Sequence, residues 1–530
     1  MSLQSGFLQV PLKNAIEIYI NEVIPRLTKK NKVIGISVAI FMSLILLIRD
    51  RVFKPPRNLR HIPYFGYYSL IKSIASGESL YDRSMRVHVP LVNSSRDGLY
   101  VEPGKSGWEV HVCNPEDMRR IFYKHEQFLK DEFGKGCEQT LLSKFTAGPN
   151  IGVLVGEPWK AQRKIVNPAF RRSVPVKLFG KIAQDLFEVM DTKGETVEVS
   201  NLMSRCTLEA IGRAGFGFEF NAIKDSKSKW STMYGSIAKG LSDHKFYIFP
   251  VLDQSLLWLF PKRKLLHQYL DEFLSVMDEI ILHKRELIKN SKNENNDLEE
   301  NEKDFLTLMI ESELRDEGVM SNEELKANLC LFFVAGHDTT ASAICVSLYY
   351  LARFPEAQKK AREEAISILG DDPKDVLPSV ENTKKMNYIT QVMKEGLRLN
   401  APIGAAIIPR LAGEDTFLSG TLIPKGTSLI MNMFNIHHSE KYWENPEQFK
   451  PERFENDNIN TSWLPFGSGA RQCIGMNFSL IEQRVILSML LRKYTWTIPE
   501  DSIHKDRLIT SGFPIIVPHG GLDLRFLKRY

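Results

Sequence analysis

Pro465-Phe466-Gly467-Ser468-Gly469-Ala470-Arg471-Gln472-Cys473-Ile474-Gly475 is the stretch that decides how the rest of this chain is read. One cysteine sits in a loop with three glycines, with an aromatic residue ahead of it and an arginine two residues before it. Ile474, Phe478, Ile481, Val485 and Met489 then recur at spacings of three and four, which marks a helix. The pattern puts Cys473 just ahead of a helix N-terminus, where free N–H groups and partial positive charge favour thiolate over thiol. Glycines give the loop the tight backbone it needs to approach a bulky planar ligand.

A single cysteine in a helical protein is ordinarily an inert buried thiol. Here F-x-x-G-x-R-x-C-x-G is met at all of its fixed positions, Phe466, Gly469, Arg471, Cys473 and Gly475. Residue frequencies alone would produce that about once in 10⁴ chains of this length. Thiolate sulfur suits iron, and an axial cysteine pushes electron density into haem iron to favour O–O cleavage. The stretch resembles the haem-binding loop of the cytochrome P450 family, the haem-thiolate monooxygenases. The resemblance implies haem b, with Cys473 as the axial iron ligand and Phe466, Gly467 and Arg471 around it.

Four further motifs in the family's order extend the resemblance over nearly everything after about residue 55. Trp159-Lys160-Ala161-Gln162-Arg163 puts an indole donor and a guanidinium four apart on one helical face, both able to reach a shared carboxylate. By resemblance Trp159 and Arg163 bind a haem propionate. Ser321-Asn322-Glu323-Glu324 is a capping box that opens a helix running to about Arg353, just before Pro355. At about 32 residues it would be about 48 Å long. Its middle reads Ala335-Gly336-His337-Asp338-Thr339-Thr340, where the glycine costs about 1 kcal/mol relative to alanine and the polar groups add desolvation cost. The resemblance makes this the distal helix: Ala335 and Gly336 leave room for O₂, and Asp338 and Thr339 relay protons. His337 fills the family's variable position and is given no role.

Glu395-Gly396-Leu397-Arg398 is an i,i+3 ion pair, by itself worth only tenths of a kcal/mol. With Pro451-Glu452-Arg453-Phe454 it resembles the family's Glu–Arg–Arg cluster, here Glu395, Arg398 and Arg453, which braces the thiolate side. Arg410 comes about two residues later than the family's usual propionate-binding arginine. The same insertion alters 403–407, where Ile403, Ala405, Ala406 and Ile407 would line the substrate pocket with Phe332, Thr510, Gly512 and Phe513.

The 530 residues carry no repeat and no long Pro/Gly/Ser linker, so one large catalytic domain over 63–530 is expected. Hydrophobic content of 43% and charged content of 25% are ordinary for a globular protein. The net charge of +5 argues against a dedicated nucleic-acid binder and suits a basic patch for an acidic partner or an anionic membrane. Six scattered cysteines with no C-x-x-C pair favour a reducing compartment. After an N-terminal segment, 1–32, Val33–Ile48 runs 16 residues without a charge between basic clusters. That is short of the usual ~20, yet flanking lysines and arginines can snorkel, so 33–48 reads as a transmembrane anchor. A basic hinge with Pro55-Pro56 follows over 49–62. Lysine and arginine counts on the two sides tie and leave the orientation open.

Phe246–Leu252 and Leu256–Phe260, followed by Pro261-Lys262-Arg263-Lys264, suggest a second, interfacial membrane contact. Leu99 to Val112 reads as a hairpin around Pro103-Gly104, and Asn114-Pro115-Glu116-Asp117 as a helix start. Thr416–Ser419 and Leu429–Asn432 read as strands around Pro424-Lys425-Gly426, and Asn290 to Lys303 as a polar surface loop.

The implied fold is mainly α with small β-sheets, haem lying between the long distal helix and the Cys473 loop. The implied reaction inserts one oxygen atom of O₂ into a lipophilic small molecule. Gly215-Phe216-Gly217 lacks the third glycine of a G-x-G-x-x-G motif, and no flavin domain follows the cysteine loop. The expected electron source is therefore a membrane-bound, NADPH-dependent flavoprotein reductase, with cytochrome b5 as a further candidate donor. The expected site is the endoplasmic reticulum membrane, single-pass, with the catalytic domain in the cytosol. Two other classes stay open: a haem-thiolate isomerase or dehydratase, against which Asp338-Thr339 counts, and a non-enzymatic haem sensor or electron carrier. The residues do not identify the substrate.

Overall fold

The computed structural model describes residues 53–530 except 105–106, 132–136, 147, 242, 244, 247–248, 291–299, 406–407, 457–460 and 513, together with six positions between 34 and 43. Segment 1–32, most of the expected anchor 33–48, Ala406, Ile407, Phe513 and the centre of the 290–303 loop therefore lie outside the described residues. Within the anchor run, Ile34, Ser37, Val38, Phe41, Met42 and Ser43 are helical and exposed.

Nine helices of 13 or more residues build the larger core among the described residues: α1 (Gly156–Arg172), α2 (Val176–Asp191), α3 (Val199–Ile211), α4 (Lys229–Leu241), α5 (Pro261–Asn290), α6 (Asn322–Arg353), α7 (Pro355–Leu369), α8 (Asn387–Leu399) and α9 (Met476–Lys493). Its axis is α6, which packs against α3, α5, α8 and α9. The helix starts where its sequence dictates. Ser321 Oγ accepts from Glu324 N at 3.2 Å and Glu324 Oε2 accepts from Ser321 N at 2.9 Å. It stops at Arg353 because Pro355, at the first position of α7, cannot continue it. Among the described residues α6 is the one helix long and apolar enough to cross a membrane, with mean hydropathy 1.5, but 67% of that window is buried inside the protein. It is a core helix.

A second, smaller core lies under a five-stranded sheet. Leu99–Gly104 and Gly107–Val112 form an antiparallel hairpin, Ser428–Met431 joins it in parallel, and Arg410–Ala412 and Phe128–Lys130 follow antiparallel. The register sets Lys130 directly opposite Arg410, so both side chains stand on one face. The 416–423 segment differs from expectation. Thr416–Leu418 pairs with Thr421–Ile423 through Ser419 (φ 45°) and Gly420 (φ 87°). Two consecutive left-handed residues make the tight hairpin there, and Pro424-Lys425-Gly426 only leads into the next strand.

The 246–264 segment divides in two. Phe249, Val251, Trp258, Leu259, Lys262 and Lys264 are exposed. Arg263 is not part of that surface, contrary to expectation. Its Nε and Nη2 donate to the two oxygens of buried Asp253, each at 2.6 Å, and Nη1 donates to Gly240 O at 2.6 Å. Asp253 also faces His267 Nε2 at 2.9 Å and accepts from Leu141 N at 2.9 Å. A buried carboxylate without such partners would cost several kcal/mol, and that requirement pulls Arg263 inward.

Candidate functional site

The cysteine loop is shaped by its own backbone and held from below. Cys473 N donates to Phe466 O at 3.0 Å, and Gly467 N to Leu464 O at 3.0 Å. Gly467 and Gly469 have φ of +66° and +70°, and a Cβ at Gly469 would lie 3.0 Å from Phe122 O, so the close approach to Phe122 needs glycine there. Leu464 N donates to His437 Nε2 at 3.1 Å, while His437 O accepts from Arg398 Nη1 at 2.7 Å. Burial and the Arg398 charge hold the His437 imidazole well below its ordinary range, so it stays neutral and can accept. Arg398 is fixed by Glu395, which accepts from its Nε at 2.8 Å and Nη2 at 2.9 Å, from Arg453 Nε at 3.2 Å and from Lys450 N at 2.9 Å. A continuous chain thus runs from Glu395 through Arg398 and His437 to the loop.

Cys473 is exposed although the protein surrounds it closely. Burial pushes its thiol up, against the N–H groups of Gly475 and Met476 and the Arg163 charge, which pull it down. Desolvation outweighs the helix terminus, so the free thiol is not poised as a thiolate as the sequence pattern suggests. A coordinated metal would deprotonate it outright.

Beside the loop, cations gather without an anion among the described residues. Trp159 is buried on α1, and the guanidinium stacked on its ring, 3.7 Å from the centroid, belongs to Arg471 rather than to Arg163. Arg471 Nη1 donates to Leu154 O at 2.8 Å, and Arg163 Nη2 to Gln472 O at 2.9 Å. Arg410, despite its late position in the sequence, is buried at the head of its strand. Opposite it stands Lys130, which donates to Gly152 O and which no motif had marked. Burial and the charges of Arg410, Arg471 and Arg163 press Lys130 down to about 7. Burial lowers Arg410 to about 10, and burial with its arginine neighbours lowers Arg471 to about 9. Trp159 Nε1 and the Nε atoms of Arg163, Arg410 and Arg471 are buried with no acceptor. Unpaired buried donors are costly, and four cations with no carboxylate among the described residues costlier still. The set fits a planar ligand that carries carboxylates and lies against a cysteine sulfur.

On α6, Ala335 and Thr339 are open to the interior, and Thr339 Oγ1 donates to Ala335 O at 2.6 Å. Asp338 keeps 32% of its side chain exposed although it sits deep in the protein. Thr340 points elsewhere, donating to Ser479 Oγ on α9 at 3.0 Å. Gly336 does not enlarge this open side, contrary to expectation: a Cβ there would meet Ile211 Cδ1 at 3.1 Å, so its smallness serves the approach of α3. Phe332 is buried edge-on to Phe170, with ring centroids 5.0 Å apart, rather than open beside Ala335. Ile403 and Ala405 are half-buried, next to the C-terminal tail. Ile516 N donates to Pro402 O at 2.8 Å, and Ser342 of α6 donates to Ile516 O at 2.7 Å. Thr510 is buried in a two-residue ladder with Pro518, and Gly512 (φ +107°) makes the turn between them. Ile516, like Lys130, carries no local sequence signal; its place follows from long-range pairing.

Comparison with known proteins shows the family. The sequence model of the family described as "Cytochrome P450" matches residues 106–524. The chain is 29% identical over 391 residues to "Protein LUTEIN DEFICIENT 5, chloroplastic" of Arabidopsis thaliana, covering 70% of this chain and 64% of that protein's length. It is 29% identical over 407 residues to "Cytochrome P450 3A5" of Homo sapiens, covering 73% and 76% of the two chains. A solved structure, "Crystal structure of cytochrome P450DA heme domain", superposes with a TM-score of 0.73 at 21% identity over 91% of this chain and 99% of that one, and shows the fold. The chain belongs to the cytochrome P450 family. Its reaction class is haem-thiolate monooxygenation, with haem and O₂ as its cofactor and co-substrate.

Proposed function

We propose that this monooxygenase inserts one oxygen atom of O₂ into a lipophilic small molecule, with electrons delivered from NADPH by a separate flavoprotein reductase. The observation that carries the reading is the group of buried donors without acceptors, Trp159 Nε1 and the Nε atoms of Arg163, Arg410 and Arg471, beside an open Cys473. With Lys130 they would hold the propionates of haem b, and Cys473 would be its axial ligand. Haem supplies O₂ binding and activation there.

The residues divide the remaining work. N–H groups of Gly475 and Met476 and the Arg163 charge hold negative charge on the Cys473 sulfur. Glu395, Arg398 and Arg453 keep the loop at its height through His437. Ala335 leaves space on the opposite side. Asp338 holds a proton-exchanging carboxylate at the open side of α6, and Thr339 offers a hydroxyl one residue on. Ile403, Ala405 and Ile516 wall the substrate side with apolar surface, which excludes water and selects a lipophilic molecule.

We place the protein in the endoplasmic reticulum membrane, anchored by 33–48 through the hinge 49–62, with the catalytic domain 63–530 in the cytosol. The exposed apolar residues Tyr68, Ile71, Ile74, Phe249, Trp258 and Leu259, with Lys262 and Lys264 beside the last pair, support a second contact with lipid. The absence of a dinucleotide-binding motif from the sequence supports an external reductase.

The test of the reading is Cys473→Ala. The reduced, CO-bound parent should show the strongly red-shifted Soret band of a thiolate haem, and the variant should lose it. A variant that keeps the band would overturn the reading.

A further inference from the structure

One polar contact on α6 is left over by that reading. His337 is 3% exposed, in the middle of the helix. Its Nε2 lies 2.9 Å from Ser204 Oγ on α3, and its Nδ1 lies 2.9 Å from Asp338 Oδ1. Tyr234 of α4 closes the ring edge-on, at 5.2 Å between centroids. The approach is possible because Gly336 lets Ile211 of α3 come close. Ser204 and Ile211 are seven residues apart, two turns along one face of α3. Ser204 is half-exposed and its neighbour Asn201 is exposed, whereas Asp338 opens to the interior. The three groups therefore bridge the α3–α6 seam from its outer edge to the open side of the distal helix.

A structural histidine buried here would need only one partner per nitrogen, and a backbone carbonyl would serve. Nε2 instead meets a hydroxyl, and Nδ1, which makes no hydrogen bond, has the Asp338 carboxylate at ion-pair distance, both groups that can exchange protons. We infer that His337 is a positioning residue that holds Asp338 and links it to Ser204, so that protons reach the oxygen side of the site through the α3–α6 seam. A proton accepted at Nε2 from the Ser204 side is matched by one released from Nδ1 to the Asp338 carboxylate. The imidazole is left neutral with its proton on Nε2, and a ring rotation that brings that proton back to the Asp338 side resets it, so none is gained or lost. The inference rests on the reading of Asp338 as the proton-exchanging acid. His337 also holds the Asp338 carboxyl below its ordinary range.

The experiment uses the haem-loaded full chain with His337→Phe, Ser204→Ala and Asp338→Asn. Two quantities are measured: hydrogen peroxide released per NADPH with its solvent deuterium isotope effect, and the infrared band of the Asp338 carboxyl in the reduced CO form against pH. The band is assigned by its loss in Asp338→Asn. In His337→Phe the carboxyl midpoint should rise, since the neighbour that lowers it is gone. Product per NADPH should fall about tenfold, less than the 10²–10⁴ that full general acid–base catalysis supplies, because Asp338 itself remains. Ser204→Ala, which removes one oxygen, should raise the isotope effect with the midpoint little moved, and it decides the matter if His337→Phe does not load haem. Parent-like coupling in both variants alongside an uncoupled Asp338→Asn overturns the inference and leaves the acid in place. Parent-like coupling in Asp338→Asn overturns both.

Discussion

Replacing Lys130 with methionine tests the cation cluster at the member no motif announces. Lys130 shares its surroundings with Arg163, Arg410 and Arg471, and their charges together with burial bring its ammonium down to about 7 from 10.5. In the haem-free protein the side chain is therefore about half charged at neutral pH. Between pH 7 and 10.5 the unfolded chain binds the proton that the folded chain has lost, so the stability of the haem-free protein rises with pH across that window. Haem affinity runs the other way. A propionate wants the ammonium, and above pH 7 each pH unit of prepayment for that proton weakens binding by up to about tenfold. Lys130→Met removes both slopes. It also removes one hydrogen bond between charged groups, worth about 1.5–3 kcal/mol, or about a 10- to 150-fold loss in haem affinity at pH 6.5. Competition for haem with an apo-globin of known affinity, run from pH 6.5 to 8.5, reads Kd, and thermal melting of the haem-free protein reads the opposite slope. At the upper limit Arg471, lowered to about 9, is still mostly charged. A variant that binds haem with parental affinity and the parental pH slope would show that Lys130 does not face the carboxylates.

Two further outcomes are expected. Gly336→Ala gains about 1 kcal/mol of helix propensity but pushes a methyl group to 3.1 Å from Ile211 Cδ1, where overpacking costs about 1–3 kcal/mol, so melting should drop by a net 0 to about 2 kcal/mol with product per NADPH unchanged; increased peroxide at unchanged stability would return Gly336 to the oxygen side. A chain lacking residues 1–50 should load haem and sediment with anionic liposomes at low salt but not at high salt, since each surface lysine contributes about 1 kcal/mol that salt screens; changing Phe249, Trp258 and Leu259 to serine should release it at any salt, and a truncated chain that ignores liposomes would leave 33–48 as the sole anchor.

What could be read from the residues in order is what is decided within a few residues. The capping box at Ser321, the Asn114 cap and the loop that ends at Cys473 are local arrangements, and each appears where its pattern puts it. What could not be read depends on register between distant segments. Lys130 reaches Arg410 only because a three-residue strand pairs across 280 positions of chain. Arg263 turns inward because Asp253 is buried, and neither burial is visible in a run of basic residues beside an apolar block. Arg471, not Arg163, covers the Trp159 ring, because the loop folds back over α1.

The middle of α6 shows why polar residues persist in an apolar core helix. Each carries a desolvation cost, and three of them find a side-chain or carbonyl partner on a different neighbour. His337 meets Ser204 of α3, Thr340 meets Ser479 of α9, and Ser342 meets Ile516 of the C-terminal tail. The partners of the latter two lie on the helix that follows the cysteine loop and on the C-terminal tail. The first ties in the helix at whose edge protons would enter. A hydrophobic α6 of equal volume would pack as tightly but would leave these three segments free to slide against it, since dispersion contacts have no direction. The directional bonds fix Ala335 and Thr339 relative to Cys473, and that fixed separation is what a rigid planar cofactor between them requires.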